Sequence, residues 1–328
     1  MVGNKFLEVI EEHNLPIDNC YLFASKKSAG KVVNFFGKDI TVLELTHDNV
    51  LALKGKVDFA LFSAGGAVSK EYAPIFAQMG AIVVDNSSYW RMHDDVPLVV
   101  PEVNPDDAFK NHGIIANPNC STIQAVVPLK PLYDKYGIKR IVYSTYQAVS
   151  GAGVLGVEDL TTMTNDPKKF AHPIAFNVLP HIDVFEKDGY TKEEHKMIDE
   201  TRKILHDDNI RITATTVRVP VYFGHSEAIN VEFDKPCTLD GILEALENFP
   251  GLVVQDDVAH NIYPLPIYAE GRDEVFVGRV RIDDSLPTGA NLWVVADNIR
   301  KGAATNAVQI VELLLYGKIE VKDEKTYI

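Results

Sequence analysis

Cys120 is the residue whose type and setting most directly permit chemistry. It lies in Asn117-Pro118-Asn119-Cys120-Ser121-Thr122-Ile123-Gln124, after the apolar run Ile114-Ile115-Ala116, which reads as a strand ending at Asn117. Pro118 offers no N–H to a sheet and turns the chain out of it. The residues from Ser121 onward can open a helix. Cys120 therefore falls in the turn at a helix N-terminus, where the partial positive charge favours thiolate over thiol. A thiolate is the nucleophile of covalent catalysis at carbonyl carbon. A buried, inert cysteine is the commoner fate of this residue type. Placement between a strand and a helix, among polar residues, favours the reactive reading.

The whole chain sets limits on that chemistry. Its 328 residues allow two domains or one large one, with 46% hydrophobic and 24% charged residues, as in a globular protein. A net charge of −14, with no basic stripe, argues against nucleic-acid binding. No apolar run approaches the ~20 residues of a membrane span, and the first residues carry no signal-peptide pattern. Cys20, Cys120 and Cys237 form no C-x-x-C pair. That argues for a reducing cytoplasm and against a disulfide framework or a metal site.

The elements that must position Cys120 follow from periodicity. Residues 4–13 show one apolar helical face. Short apolar strands are expected at 21–24, 57–62, 81–85, 98–100 and 113–116, with a helix at 69–79. Alternating strands and helices give a doubly wound parallel sheet, which binds ligands at the carboxyl ends of its strands. Ser63-Ala64-Gly65-Gly66, Asp85-Asn86-Ser87-Ser88 and Asn117 to Cys120 all fall at such ends. The pattern then changes. Longer β-rich segments at 141–148, 211–221, 228–233, 275–282 and 292–296, with a helix at 191–205, indicate a second, α+β domain with a mixed sheet. An amphipathic helix at 298–316 is expected to return to the first domain. The fold class is thus α/β: a parallel-sheet domain, 1–119 completed by 299–328, and a second, α+β domain with a mixed sheet, 120–298. Cys120 sits at their junction. Pro128 and Pro131 are expected to kink or shorten the helix after it.

With Gln147 and the pair Arg218 and His225, the Asn117–Thr122 motif resembles the aspartate-β-semialdehyde dehydrogenase family. The resemblance covers nearly the whole chain. It includes Asp85-Asn86-Ser87-Ser88-Tyr89-Trp90-Arg91-Met92, Val99-Val100-Pro101-Glu102-Val103-Asn104, Gln147-Ala148-Val149-Ser150-Gly151-Ala152-Gly153, Arg218-Val219-Pro220-Val221 and Gly302-Ala303-Ala304-Thr305-Asn306. Related reductases of N-acetylglutamyl phosphate usually carry Gly, not Asn, before the cysteine, so Asn119 favours the aspartate enzyme. Two competing readings are a reductase of another acyl phosphate and a catalytically silent homologue kept for binding or assembly.

The resemblance implies reduction of β-aspartyl phosphate by NADPH to aspartate semialdehyde and inorganic phosphate, on the way to lysine, methionine and threonine. It makes Cys120 the nucleophile that forms a thioester and His225 the acid/base. Gln147 would orient the substrate or intermediate, Arg218 would grip the substrate carboxylate, and Glu193 would hold its amino group. Arg91 and Lys196, with Asn119, would hold the phosphate. Taken alone, Glu193 and Lys196 would be an ordinary helix-surface pair. Arg218 and His225 are seven apart, on opposite faces of a regular strand. To share a site the strand must break, and Pro220 and Gly224 are where it can.

For the cofactor, Ser25, Lys27 and Ser28 suit an adenosine 2′-phosphate, where a bare ribose diol usually meets an acid, so NADP is favoured over NAD. Ser63, Gly65, Ser150 and Gly151 resemble cofactor-contacting turns, and Asn306 resembles an amide near the nicotinamide. Family members are dimers or tetramers, so a homodimer or homotetramer is expected. Relatives open with a strand and Gly-Ala-Thr-Gly-x-Val-Gly, of which Met1-Val2-Gly3 is the counterpart here, leaving Val2 and Gly3 as the remaining cofactor contacts. Either the start lies upstream or the chain is a shortened variant. As written, it is expected to fold weakly and bind NADP poorly.

Overall fold

The computed structural model describes residues 2–319; expectations that touch Met1 or residues 320–328 lie outside that range. Strands Phe59–Phe62, Ile82–Asp85 and Ile114–Ala116 pair in parallel in that order. Phe23–Ala24 pairs in parallel with Leu43–Glu44 as a separate two-stranded sheet. Helix Val2–Glu12 buries Phe6, Val9 and Ile10. These pack with Val84 and Ile115 of the sheet and with Ala307, Val308 and Val311 of the last helix, so the C-terminal helix does return to the first sheet.

Three expectations need correction, and one hairpin was not expected. Residues 98–100 form no strand, and only Leu98 bridges Ala116. The side chain of Asn104 takes the neighbouring backbone groups, accepting from Val100 N–H at 2.9 Å and donating to Leu98 C=O at 2.8 Å. An unforeseen hairpin, Val32–Phe35 with Lys38–Thr41, turns at Phe36 and Gly37, both with positive φ (47° and 70°) as a two-residue hairpin turn requires. The expected single helix at 298–316 is instead a π-helical turn, Arg300–Ala304, running into helix Thr305–Tyr316. This helix is buried on every side from Thr305 to Leu313, where an amphipathic one was expected. Finally, helix Cys120–Tyr136 runs without shortening through Pro128 and Pro131. An interior proline costs about 3 kcal/mol. Burial of Ile123, Val126, Val127, Leu129 and Leu132 offsets it, at about 1.5–3 kcal/mol each.

The second sheet has six strands in the order Leu252–Val254, Val275–Ile282, Gly289–Ala296, His225–Phe233, Ile138–Gln147, Arg211–Arg218. It is mixed: the first pair and the last pair are parallel, the others antiparallel. One face packs under helices Cys120–Tyr136, Lys192–Leu205 and Leu239–Glu247. The other face carries exposed Tyr146 and half-buried Val142, Ser144, Ala228, Asn230 and Trp293. The demanded break between Arg218 and His225 is present. One strand ends at Arg218, the next begins at His225, and Gly224 turns the chain at φ +83°.

Where the two sheets meet, charge ties the N-terminal helix to the C-terminal one. His13 Nδ1 lies 2.7 Å from Glu312 Oε1 and its Nε2 3.5 Å from Asp273, which also pairs with Arg300 at 2.9 Å. Burial lowers the His13 pKa, but hydrogen bonds to Asp273 and Glu312 outweigh it and raise it to about 9. A histidine raised on folding stabilises fully below its unfolded value of 6.5, and that share is lost as pH rises through about 9. The melting temperature is therefore expected to fall between pH 7 and pH 10, and His13→Gln to remove most of that slope.

Candidate active site

The chain leaves strand Ile114–Ala116 and enters helix Cys120–Tyr136 through Asn119, which caps it. Asn119 Oδ1 accepts from the N–H groups of Ser121 (3.0 Å) and Thr122 (3.3 Å), and its own N–H donates to Glu200 Oε2 at 2.6 Å. Cys120 is thus held at the first helical position, partly open to solvent. Its Sγ lies 3.3 Å from His225 Nε2. Opposite it, Gly302 leaves room for the cysteine, because a Cβ there would lie 2.9 Å from Cys120 Cβ. Gly302→Ala is expected to push Cys120 off its position. It should cost about 1–3 kcal/mol of stability and at least tenfold in turnover, read by melting and steady-state rates.

Register then places the other side chains. Gln147 pairs directly with Arg218, and the pair Ser226 and Tyr146 sets His225 beside Gln147. His225, Gln147 and Arg218 form one row across three strands, on the face under the helices. Gln147 Nε2 donates to Ser121 Oγ and to Glu193 Oε1 (3.2 Å). Arg218 donates to Ala148 C=O at 2.6 Å and lies over the Phe170 ring at 6.0 Å. Above the row, Thr191 and Glu194 make a capping box that fixes the start of helix Lys192–Leu205. That helix presents Glu193, Lys196 and Glu200 along one side. Glu193 accepts from Asn119 Nδ2 (3.0 Å) and Lys196 Nζ (3.1 Å), and Lys196 also donates to Asp183 (2.7 Å). Arg91 donates to Asn117 C=O, Asn86 C=O and Glu200, each at 3.0 Å.

The electrostatics correct one expectation. Burial, and then the charge of Glu193, push the Cys120 thiol up to about 12, against the pull of Arg218, Arg91 and Lys196. The helix terminus does not outweigh this, so the resting group is a thiol and not the thiolate read from the sequence. Burial and Arg218 hold the His225 imidazole well below its ordinary value, hence neutral. Ala148 N–H donates to His225 Nδ1 at 3.0 Å, so Nδ1 carries no proton. The proton of the neutral ring is therefore on Nε2, facing the sulfur. Burial raises the Glu193 carboxyl, but Lys196, Asn119 and Arg218 outweigh it and hold it below the usual range, hence ionised.

The remaining candidates divide. Ser25, Lys27, Ser63 and Gly65 are exposed and Ser28 half-buried, on turns at the carboxyl ends of Phe23–Ala24 and Phe59–Phe62. Gly65, at φ +92°, caps helix Gly66–Gln78. Val2 and Gly3 are in the first turn of their helix, where backbone N–H groups have no intrahelical partner. Ser150 Oγ bonds Asn298 at 3.2 Å, and a Cβ on Gly151 would come within 3.0 Å of Arg218 and 3.2 Å of His225. Asn306 has no exposed surface, donates to Val99 C=O (2.9 Å) and Asn117 (2.7 Å), and accepts from Lys301 (3.2 Å).

Two family profiles match the chain: "Semialdehyde dehydrogenase, NAD binding domain" over residues 1–111 and "Semialdehyde dehydrogenase, dimerisation domain" over residues 129–301. The aspartate-semialdehyde dehydrogenase of Aquifex aeolicus is 61% identical over 325 residues, covering 96% of this chain and 95% of that one. The chain belongs to the aspartate-semialdehyde dehydrogenase family. Solved structures agree. That of Vibrio cholerae aspartate semialdehyde dehydrogenase II complexed with ASA superposes with a TM-score of 0.91 at 47% identity, over 96% of this chain and 95% of that one. That of Candida albicans aspartate semialdehyde dehydrogenase with NADP gives 0.76 at 27% identity, over 96% and 95%. As a member of this family the chain is an oxidoreductase of amino-acid biosynthesis, with a nucleotide-binding parallel sheet and a mixed dimerisation sheet. Among the described residues, no helix is long and apolar enough to cross a membrane.

Glu200 is the site residue that the sequence reading missed. It receives both Arg91 and the Asn119 N–H, and so joins the expected phosphate side to the cysteine turn. Its signal was present. Residues 193, 196 and 200 recur at helical spacing, on the side that carries two of the expected ligands.

Proposed function

We propose that this chain reduces β-aspartyl phosphate to aspartate semialdehyde and inorganic phosphate with NADPH, through a thioester on Cys120, in the cytoplasm. The observation that carries the reading is Cys120 Sγ 3.3 Å from His225 Nε2, with Gln147 and Arg218 on the same cross-strand row. Arg218 holds the substrate carboxylate through its planar fork. Glu193 holds the amino group, while Lys196 and Arg91, aided by Asn119, hold the phosphate. After burial, Glu193 is the main influence raising the thiol. A substrate ammonium against Glu193 removes that push when the sulfur has to ionise. The sulfur attacks the acyl carbon, the acyl–oxygen bond breaks, and the thiol proton leaves with the phosphate. His225 is the acid/base here. Its Nε2–H, facing the sulfur, gives a proton to the oxyanion as the tetrahedral intermediate forms and takes it back as the intermediate collapses.

When bound, the nicotinamide supplies the hydride that takes the thioester to the aldehyde level. The residues present fit such a cofactor. Exposed Ser25 and Lys27, with half-buried Ser28, suit a 2′-phosphate, and the Candida albicans relative's NADP supports the same choice. Val2, Gly3, Ser63 and Gly65 fit the pyrophosphate side, while Ser150 and Gly151 lie beside the reacting row. The described parts of 1–119 and 299–328 form the nucleotide-binding domain and 120–298 the catalytic one. The half-covered face of the second sheet serves a homodimer or homotetramer. An ionised Glu193 inside the site argues against a substrate without an amino group. The test is reduction of NADP by aspartate semialdehyde, with and without inorganic phosphate. A rate independent of phosphate overturns the reading.

A further inference from the structure

Directly beneath the reacting row lies a second one that the proposed chemistry does not use. Glu227 pairs across the sheet with Thr145, and Thr145 with Thr216. Each is two residues along its strand from His225, Gln147 and Arg218 respectively, and so points to the same face. Helix Cys120–Tyr136 adds Gln124 over them, its Nε2 donating to the C=O groups of His225 (3.2 Å) and Val294 (3.4 Å). All four have no exposed surface. Both carboxyl oxygens of Glu227, the hydroxyls of Thr145 and Thr216 and Gln124 Oε1 have no hydrogen-bond partner among the described residues.

We infer that Glu227, Thr145 and Thr216, with Gln124 above them, form a buried water-binding site beneath the reacting row, with Glu227 present as the un-ionised carboxylic acid. Opposed side chains on paired strands have Cβ atoms about 4.5–5.5 Å apart, a span that one water bridges. Water suits the donor set, because hydroxyls and a carboxylic acid each need a donor and an acceptor. Buried polar atoms in folded proteins are almost always hydrogen-bonded, to other protein groups or to ordered water. Among the described residues, no cation is hydrogen-bonded to Glu227 to pair an ionised form. Helix Lys192–Leu205 brings Glu193 and Glu194, strand Ile138–Gln147 brings Tyr143, and helix Cys120–Tyr136 brings Cys120. His225 on its own strand is neutral, Val294 lies opposite on the other side, and Arg218 is one row above, beside Glu193. Burial, and then the charge of Glu193, push Glu227 well above its ordinary value.

Glu227 is accordingly a positioning residue. As a neutral acid it holds waters under Gln147 and His225 without adding a second anion beside Glu193. Ionised, it would raise the Cys120 thiol further. A glutamic acid neutral in the folded chain and ionised in the unfolded one makes folding take up a proton, so stability falls as pH rises above 4.5.

The assignment takes its functional meaning from the proposed active site, but its test does not need activity. An infrared difference spectrum of the wild-type chain against Glu227→Gln, at neutral pH, is expected to show a protonated-carboxyl C=O band in the wild type only. Glu227→Gln is expected to melt higher than wild type, with a gap that widens from pH 5 to pH 8. In the active enzyme it should shift the alkaline limb of the turnover profile upward. Absence of the band, or a melting gap that stays constant or reverses with pH, overturns the assignment. If the band and the gap appear but no NADP reduction is seen, the acid site stands and the functional reading fails.

Discussion

Cys120→Ala abolishes phosphate-dependent reduction of NADP by aspartate semialdehyde, with a fall in turnover on the order of 10⁴-fold or more. The loss is large because no other group in the site can form the thioester. Ser121 Oγ lies beside the cysteine but is engaged by Gln147. The fold survives the change. The helix is capped by Asn119, not by the cysteine, and alanine is a better helix former. The melting temperature should therefore move little. Because the resting sulfur is a thiol partly open to solvent, its alkylation in the wild-type enzyme should be slow at neutral pH and quicken as pH rises. Cys20 and Cys237 remain as background thiols, so the difference between wild type and variant isolates Cys120. Activity that survives in the alanine variant removes the covalent mechanism.

Much of this site is legible in the sequence for a physical reason. The Asn117–Cys120 turn, the glycine at 224 and the short polar loops after apolar strands are local features, and local sterics decide them. The broken strand between Arg218 and His225 followed from side-chain alternation once the family resemblance put both residues in one site. What stayed hidden depends on contacts between distant segments. Asn104 captured the backbone at 98–100, and packing carried Pro128 and Pro131 through a helix that propensity would have ended. Asn306 faces inward because Lys301, Asn117 and Val99 lie around it. The ionisation of Cys120 was misread for the same reason. A helix terminus is a local effect worth about 1 kcal/mol, whereas burial and Glu193 come from the other side of the fold.

The same sheet register explains why catalysis and the buried acid site are coupled in space. Strands Ile138–Gln147, Arg211–Arg218 and His225–Phe233 present every second residue to the helices. A row that holds the substrate must therefore have another one step below it. Here that lower row runs from Glu227 through the hydroxyls of Thr145 and Thr216, with Val294 on the other side of Glu227. A one-residue slip in any of these strands would turn both rows outward together.

Lys301→Met is expected to be the most destabilising single change at the domain junction. Its ammonium is fully buried. It donates to both oxygens of Glu102 at 2.7 Å each, to Gln309 at 2.7 Å and to Asn306 at 3.2 Å. Removing it leaves the Glu102 carboxylate buried without a counter-charge, at a cost of about 3–5 kcal/mol. That is a large part of a total stability on the order of 5–15 kcal/mol. The melting temperature should fall by roughly 5–15 °C. Turnover should fall too, because Asn306 passes the constraint to Asn117 at 2.7 Å and Asn117 to Asn86 at 2.8 Å, across the turn that carries Cys120. Lys301→Arg should not rescue either loss, since a wider planar head does not fit a closed site shaped around an ammonium. The double change Lys301→Met with Glu102→Gln removes both charges and should recover more than half of the stability. If it is as unstable as the single variant, the lysine acts by filling space, and the proposed line of constraint from Glu102 to the cysteine turn does not hold.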